Sequence, residues 1–285
     1  MGMGRTTKNA DGYAISDEAF ERMCSSISFS KLKGLFLQGF MGTSEQSLHA
    51  LADSLQGSRL RSLFLGDCPP LSDLSLDRFS QSVDLSLLET LVLSTVSLTY
   101  FIRSPQELTT LEVYGASDVD RAFQQLSRLG GFPKLKSLSL NTCTMTDEAF
   151  KCLRNINFGA NLTALELQNA SLITDEAFAS LADAGCGLSL TSLTLNCLEL
   201  VTDESAAHLV RGGAGPMLHT LIVENMCQLT SDFIRRLVLG GMGPNLHDVF
   251  LNNNGDLDDS FPEALNLEMT EDLRELCADY RRFFN

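Results

Sequence analysis

One short motif, Leu-x-x-Leu-x-Leu with Val in place of some leucines, recurs along the whole 285-residue chain. Successive copies are 27 or 28 residues apart, with a single gap of 20. A period in this range predicts a solenoid, in which each unit buries its apolar side only against its neighbours. The nine copies begin at Leu32, Leu60, Leu88, Leu108, Leu135, Leu162, Leu190, Leu218 and Leu246.

Each unit combines a strand pattern with a helix pattern. In the fifth unit Leu138 and Leu140 point to the same side, because strand side chains alternate with period two. The following Thr146-Asp147-Glu148 has the composition of a helix start, with Thr146 at the N-cap. Glycine and proline then turn the chain back toward the next strand. The sequence therefore predicts an α/β repeat with parallel strands.

These residues carry a family resemblance over about residues 15 to 265. The chain resembles leucine-rich repeat proteins, with units similar in length to the ribonuclease-inhibitor-like and cysteine-containing subclasses. The resemblance implies a horseshoe with a parallel sheet on its concave face and helices on its convex face. The position after the strand, usually Asn or Cys in that family, departs from the pattern in six of nine units and fits only at Cys68, Cys143 and Asn254.

The repeat pattern also predicts the domain organisation. Residues 1–14 are expected to be a disordered tail, 15–31 an N-terminal half-repeat or cap, 32–269 nine repeats and 270–285 a capping helix. The unit from Leu88 to Glu107 is too short for a full helix, so it predicts a notch in the convex layer.

The net charge of −15 bears on the kind of partner. It argues against nucleic acid and anionic membranes, since no basic stripe is present to meet phosphates. Much of the acidity lies at predicted helix starts such as Asp147-Glu148 and Asp175-Glu176. These carboxylates form either a solvated edge or an acidic rim that steers a partner with a basic patch.

Signals for an enzyme, a metal or a cofactor are absent or weak. The eight cysteines form no Cys-x-x-Cys pair, and reduced thiols in a cytoplasmic protein are their simplest explanation. No secretory or membrane-spanning segment is evident. His219 and His247 occupy equivalent places in adjacent repeats, where their rings are expected to stack near Asp248, but no third metal ligand is apparent. The chain is therefore predicted to be non-enzymatic, with no cofactor and no metal.

The predicted binding site is a row of side chains across the concave face. Phe36, Phe64 and Val92 are expected to be neighbours in an exposed apolar patch that Tyr114 extends. Glu112 and Glu166 lie beyond this patch, where they are expected to meet a Lys or Arg of the partner. Ile222 and Phe250 are the alternative site at the far end. Self-association, or cover by an N-terminal segment, remains the other explanation for the patch.

Three functional classes follow from these observations. The whole pattern favours a protein-interaction scaffold or adaptor. Similar repeats follow an F-box in substrate-recognition modules of ubiquitin ligases, although no F-box-like region precedes residue 15 in this sequence. Ran GTPase-activating proteins also use repeats of this length, but the only asparagine cluster is Asn252–Asn254 and the predicted concave positions carry no arginine.

Overall fold

The computed structural model describes residues 17–27, 29–38, 45–66, 72–102, 106–154, 160–242, 245–252 and 254. These residues contain one parallel sheet, in which the strands follow one another in chain order. The sheet confirms the predicted α/β repeat architecture. Its strands are β1 Gly34–Gln38, β2 Ser62–Gly66, β3 Thr90–Ser94, β4 Thr110–Tyr114, β5 Ser137–Asn141, β6 Ala164–Gln168, β7 Ser192–Asn196, β8 Thr220–Glu224 and β9 Asp248–Asn252.

Helices follow most of the strands and form a second layer. They are α1 Asp17–Ser26, α2 Glu45–Ser54, α3 Asp73–Ser82, α4 Val119–Arg128, α5 Asp147–Lys151, α6 Asp175–Asp183, α7 Glu204–Arg211 and α8 Ser231–Leu239. Neighbouring strands are about 4.8 Å apart, whereas packed helices need about 8–10 Å. This mismatch curves the array and places the sheet on the concave side.

The core lies between the two layers and is built from the leucines of the repeat. The paired side chains of each strand are in register across the sheet, so that Leu138 packs beside Leu165 and Leu140 beside Leu167. As predicted, the leucines at the fourth and sixth motif positions are buried, with at most 1% of their surface exposed at Leu63, Leu65, Leu138, Leu140, Leu193 and Leu195. The helices contribute Phe123, Phe150 and Phe178, which are also fully buried.

The predicted helix starts at Thr146 and Thr174 are confirmed, and the helix that follows Thr230 begins in the same way. Thr146, Thr174 and Thr230 are N-cap residues whose side chains accept a hydrogen bond from the backbone N–H two positions later. The helix near Thr202 begins at Glu204, but Thr202 Oγ1 still accepts from the Glu204 backbone N–H at 3.3 Å. Each threonine thus satisfies one of the N–H groups that a helix end leaves without a partner.

An aspartate of one repeat binds the capping threonine of the next. Asp120 accepts hydrogen bonds from the backbone N and Oγ1 of Thr146, at 2.9 and 2.7 Å. The same pair of bonds links the residues Asp147 to Thr174, Asp175 to Thr202, and Asp203 to Thr230. We call this series the Asp–Thr ladder.

The ladder changes the interpretation of the acidic helix starts. The expectation of a purely solvated edge is wrong for the aspartates, because they are half-buried and join consecutive repeats. It holds for the neighbouring glutamates, since Glu148 and Glu176 are exposed and form surface ion pairs with Lys151 and Arg154. Surface pairs of this kind contribute little to stability.

The short unit has a single 3₁₀ turn, Leu98–Tyr100, where its neighbours have a helix. The missing helix leaves a cleft of about 340 Å³ lined by residues that include Asp73, Tyr100, Asp118 and Arg121. This cleft is the predicted notch. Asp118 caps the turn by accepting from the backbone N–H groups of Leu98 and Thr99, at 3.2 and 3.1 Å.

Asp118 is held in its charged form by these contacts. Burial alone would raise the pKa of this carboxyl group, but hydrogen bonds from Ser97, Thr99 and the backbone of Leu98 outweigh burial and lower the pKa. Asp118 therefore accepts backbone hydrogen bonds at the start of the short unit's turn. The aspartates of the Asp–Thr ladder do the same at the helix starts of the full-length units.

The ends of the array are only partly described. Helix α1 lies within the predicted 15–31 half-repeat and packs on α2, with Phe20 and Cys24 buried. The predicted 1–14 tail and the predicted 270–285 capping helix lie outside the described residues, and a capping role for either end stays a prediction. No helix in the described part of the chain is long and apolar enough to cross a membrane.

Candidate partner-binding face

The fifth motif position forms one continuous row across the concave face. Strand register makes each member the direct neighbour of the next, from β1 through β9. The sheet therefore brings the predicted site residues together in the predicted order. The row is Phe36, Phe64, Val92, Glu112, Ser139, Glu166, Thr194, Ile222 and Phe250.

An aromatic pair occupies the N-terminal end of this row. The rings of Phe36 and Phe64 are stacked, with centroids 6.4 Å apart and planes inclined by 28°. Phe36 remains 49% exposed, although a phenyl ring in water is normally covered by other groups. The pair is the large apolar feature that the sequence predicted at this end of the face.

Two glycines let these rings lie along the sheet. A Cβ atom at Gly66 would lie 2.7 Å from the Phe64 ring, and one at Gly34 would lie 3.1 Å from the Phe36 ring. The absence of a side chain at both positions gives the rings room to lie against the backbone. The sequence analysis did not identify these two glycines. The signal was present in the sequence, since Gly34 is two residues before Phe36 and Gly66 is two residues after Phe64.

Val92 departs from the prediction. It lies between Phe64 and Glu112 in the row, as expected, but only 7% of its surface is exposed. The interpretation of Val92 as part of an exposed patch is therefore wrong. Its side chain is short, and the longer neighbours on both sides shield it from water.

The centre of the face is acidic and ordered by hydrogen bonds. Tyr114 donates from its hydroxyl to Glu112 Oε2 at 3.1 Å. Gln168 donates from its amide to Glu166, and Asn141 donates to Gln168 Oε1 at 3.0 Å. The two carboxylates are therefore held in place by neighbours on their own strands.

The phenol of Tyr114 responds to both carboxylates. Its burial and the negative charge of Glu112 raise the pKa of Tyr114 to about 12, and Glu166 adds to the shift. Tyr114 is thus part of the acidic centre, whereas the sequence interpretation had assigned it to the aromatic patch.

The far end of the row is also apolar. Phe250 is 48% exposed, and its register partner Ile222 is half-buried. The rings of His219 and His247 lie beside this end with centroids 5.6 Å apart, which confirms their predicted proximity. Among the described residues no group of three or more His, Cys, Asp or Glu side chains is arranged to hold a metal ion.

The comparisons with known proteins concern the fold. No family model and no curated protein sequence matches the chain. The chain is similar to a chain in the crystal structure of the Rad7 and Elc1 complex in yeast, with a TM-score of 0.63. The fold is that of a leucine-rich repeat protein. Sequence identity over the match is 17%, so the similarity extends to the fold alone.

The two chains differ in length. The match covers 88% of the chain described here and 63% of the other chain. The chain therefore spans less than two thirds of the length of the chain that it resembles.

Proposed function

We propose that this leucine-rich repeat chain is a non-enzymatic scaffold or adaptor that binds a protein partner on its concave face. One observation supports the proposal above all. The face carries a stacked, half-exposed aromatic pair, Phe36 and Phe64, in the same row as two ordered carboxylates, Glu112 and Glu166. Aromatic anchors beside polar groups are typical of the central residues of protein interfaces.

The chemistry of the face favours a protein with an apolar segment next to a basic side chain. An apolar segment covers the aromatic pair, and a positive charge meets the acidic centre, which begins two strands beyond Phe64. The overall net charge of −15 favours the approach of such a partner. A second copy of this acidic chain is a poorer match, because like charges repel.

A double substitution tests the aromatic pair. Phe36→Glu with Phe64→Glu should abolish partner capture, since the new charges oppose an apolar segment and the rings are removed. The matched control is Leu172→Glu with Leu188→Glu, because these leucines are 50% and 66% exposed and lie away from the row. The proteins retained from a lysate of the source cell are quantified by mass spectrometry for both variants and the wild type.

The outcome depends on comparison among the three proteins. Proteins retained by the wild type and by the control, but lost with the folded double variant, support the proposal. Equal retention by the folded double variant would exclude Phe36 and Phe64 as the site and direct attention to Ile222 and Phe250. Analytical ultracentrifugation of the wild type separates self-association from capture of another protein.

The substrate-recognition module of an F-box-type ubiquitin ligase is the second candidate. The similarity in fold to a protein crystallised in the complex of Rad7 and Elc1 favours it. In that case two kinds of protein should be captured. Ligase subunits should be retained equally by the wild type and the Phe36→Glu, Phe64→Glu variant, whereas the substrate should be lost with the variant.

Three further properties predicted from the sequence remain part of this proposal. They are the ribonuclease-inhibitor-like or cysteine-containing subclass, the cytoplasmic location and the absence of catalysis. The six cysteines of the described residues are all unpaired thiols, in keeping with a reducing compartment. A single-turnover GTP hydrolysis assay with Ran tests the less favoured GTPase-activating role.

A further inference from the structure

The described sheet ends at β9, and the core beside this strand is less well covered than the core elsewhere. At the fourth motif position the strands β1 to β8 each carry a leucine with at most 3% of its surface exposed, whereas Val249 of β9 is only partly buried. Leu246, which opens the same unit, is 8% exposed, compared with 1% for Leu218 in the preceding unit. The C-terminal edge of the array therefore presents apolar surface to which a further repeat fits.

The backbone of β9 also favours an additional neighbour. The N–H groups of His247 and Asp248 donate to the carbonyl oxygen of His219, so these bonds tie one side of β9 to the preceding unit. Alternate residues of a parallel strand bond to opposite neighbours, and Val249 therefore directs its N–H and C=O away from β8. Polar backbone groups directed outward at the edge of a sheet favour pairing with another strand.

The sequence after β9 continues the repeat at the same period. Residues 255–285 lie outside the described part of the chain, so this match is one of sequence alone. Leu273 follows Leu246 by 27 residues and opens a tenth copy of the motif, with Leu276 at the fourth position and Ala278 at the sixth. Between these copies, three apolar residues each stand 28 positions after a residue of the preceding unit that is at most 1% exposed. The pairs are Leu229 with Leu257, Phe233 with Phe261, and Leu237 with Leu265.

We propose that the tenth motif copy, residues 273–278, forms a further strand that pairs in parallel with β9 and covers the open edge of the core. The repeat register pairs Leu276 with Val249 in the core and Cys277 with Phe250 on the concave row. The candidate partner-binding face thereby gains one strand. Phe250, which is 48% exposed at the last described strand, becomes an interior member of the row.

The apolar spacing of the same segment also fits the capping helix predicted from the sequence. The two structures differ in the side to which two adjacent residues point. In a strand, Ala278 points with Leu276 into the core and Cys277 points away, because side chains alternate with period two. In a helix, Cys277 lies on the apolar side with Leu273 and Tyr280, whereas Ala278 faces solvent. A charge placed at each of the two positions therefore distinguishes the strand from the helix.

The experiment compares Ala278→Asp with Cys277→Asp in the full chain. Hydrogen–deuterium exchange measured by mass spectrometry reports how well the backbone amides of β9 are protected. For a tenth strand, Ala278→Asp places a charge in the core and should speed exchange in β9 by about tenfold or more. Cys277→Asp is the matched control and should change exchange by less than about twofold, because Glu112 and Glu166 occupy the same motif position in β4 and β6.

A third substitution should protect β9 instead of exposing it. The sixth motif position carries leucine or valine in the nine described strands, as at Leu251 and Val223. Ala278→Leu restores the larger side chain and should slow exchange in β9 by about threefold or more, because additional apolar surface is buried. On a capping helix the same side chain would face solvent and leave exchange unchanged.

Three results would overturn the tenth strand. Faster exchange with Cys277→Asp but not with Ala278→Asp would indicate the capping helix. Protection of β9 that rises with protein concentration, and that neither aspartate changes, would indicate that a second copy of the chain covers the edge. Equal effects of the two aspartates would exclude a strand in this register. None of these results affects the capture test with Phe36 and Phe64, which concerns the opposite end of the row.

Discussion

The carboxylate of Asp147 accepts two hydrogen bonds from Thr174 of the next repeat, one from the backbone N–H at 2.9 Å and one from Oγ1 at 2.8 Å. Thr174 Oγ1 in turn accepts from the backbone N–H of Glu176 at 3.2 Å. A single threonine hydroxyl therefore links the helix start of its own repeat to a charge in the preceding repeat. Because contacts between neighbouring repeats contribute to the stability of repeat proteins, we expect these bonds to stabilise the array.

The first prediction concerns this rung of the Asp–Thr ladder. Asp147→Ala removes two hydrogen bonds to a charged group and should lower the free energy of unfolding by about 2 kcal/mol. The adjacent Glu148→Ala is the control, and it should change that free energy by less than about 0.5 kcal/mol because Glu148 is exposed. Urea unfolding followed by circular dichroism measures both, and equal midpoints would show that the ladder contributes nothing.

The second prediction concerns the residue directly after each strand. Thr142 has a φ of 54°, whereas Asn169 and Asn225 occupy the equivalent place with φ of 51° and 54°. A β-branched residue is strained in this left-handed region, which asparagine tolerates much better. Thr142→Asn should therefore raise the free energy of unfolding by about 0.5–1 kcal/mol. The reciprocal change Asn169→Thr should lower it, and the same direction of change in both variants would contradict the strain argument.

The third prediction concerns the core at the middle of the array. Leu165 is 1% exposed, so Leu165→Ala should lower the free energy of unfolding by about 2–5 kcal/mol. Leu165→Asp should prevent folding of the central repeats, because an unpaired charge would be buried. Leu172→Asp is the control, since Leu172 is 50% exposed and should tolerate the charge. Circular dichroism and thermal melting compare the three, and a folded Leu165→Asp variant would contradict the packing described.

The fourth prediction concerns the pH dependence of Tyr114. Its pKa of about 12 in the folded chain lies above the ordinary 10 of tyrosine. Its neutral phenol therefore contributes stability that is fully present below pH 10 and is lost as pH rises toward 12. Ultraviolet titration should show a late tyrosinate transition that Tyr114→Phe removes. Glu112→Gln should move that transition to lower pH, and an unchanged titration would exclude the influence of the carboxylate.

Much of this molecule is determined by the local repeat. The positions of the strands, the burial of Leu138 and Leu140 and the caps at Thr146 and Thr174 follow from periods of two and 3.6 residues within single units. The order of side chains along the concave row follows as well, because a constant repeat length places equivalent residues side by side. The one short unit similarly predicts the notch, which lies beside the 3₁₀ turn at Leu98–Tyr100.

The tertiary structure decided how neighbouring repeats share space and hydrogen bonds. Val92 is buried and Phe36 exposed in the same row, because exposure depends on the sizes of side chains that lie on adjacent strands. Asp147 binds Thr174 27 residues away, and Ser139 is buried between two glutamates of the adjacent strands. These outcomes arise from contacts across repeats, whereas the motif describes one repeat at a time.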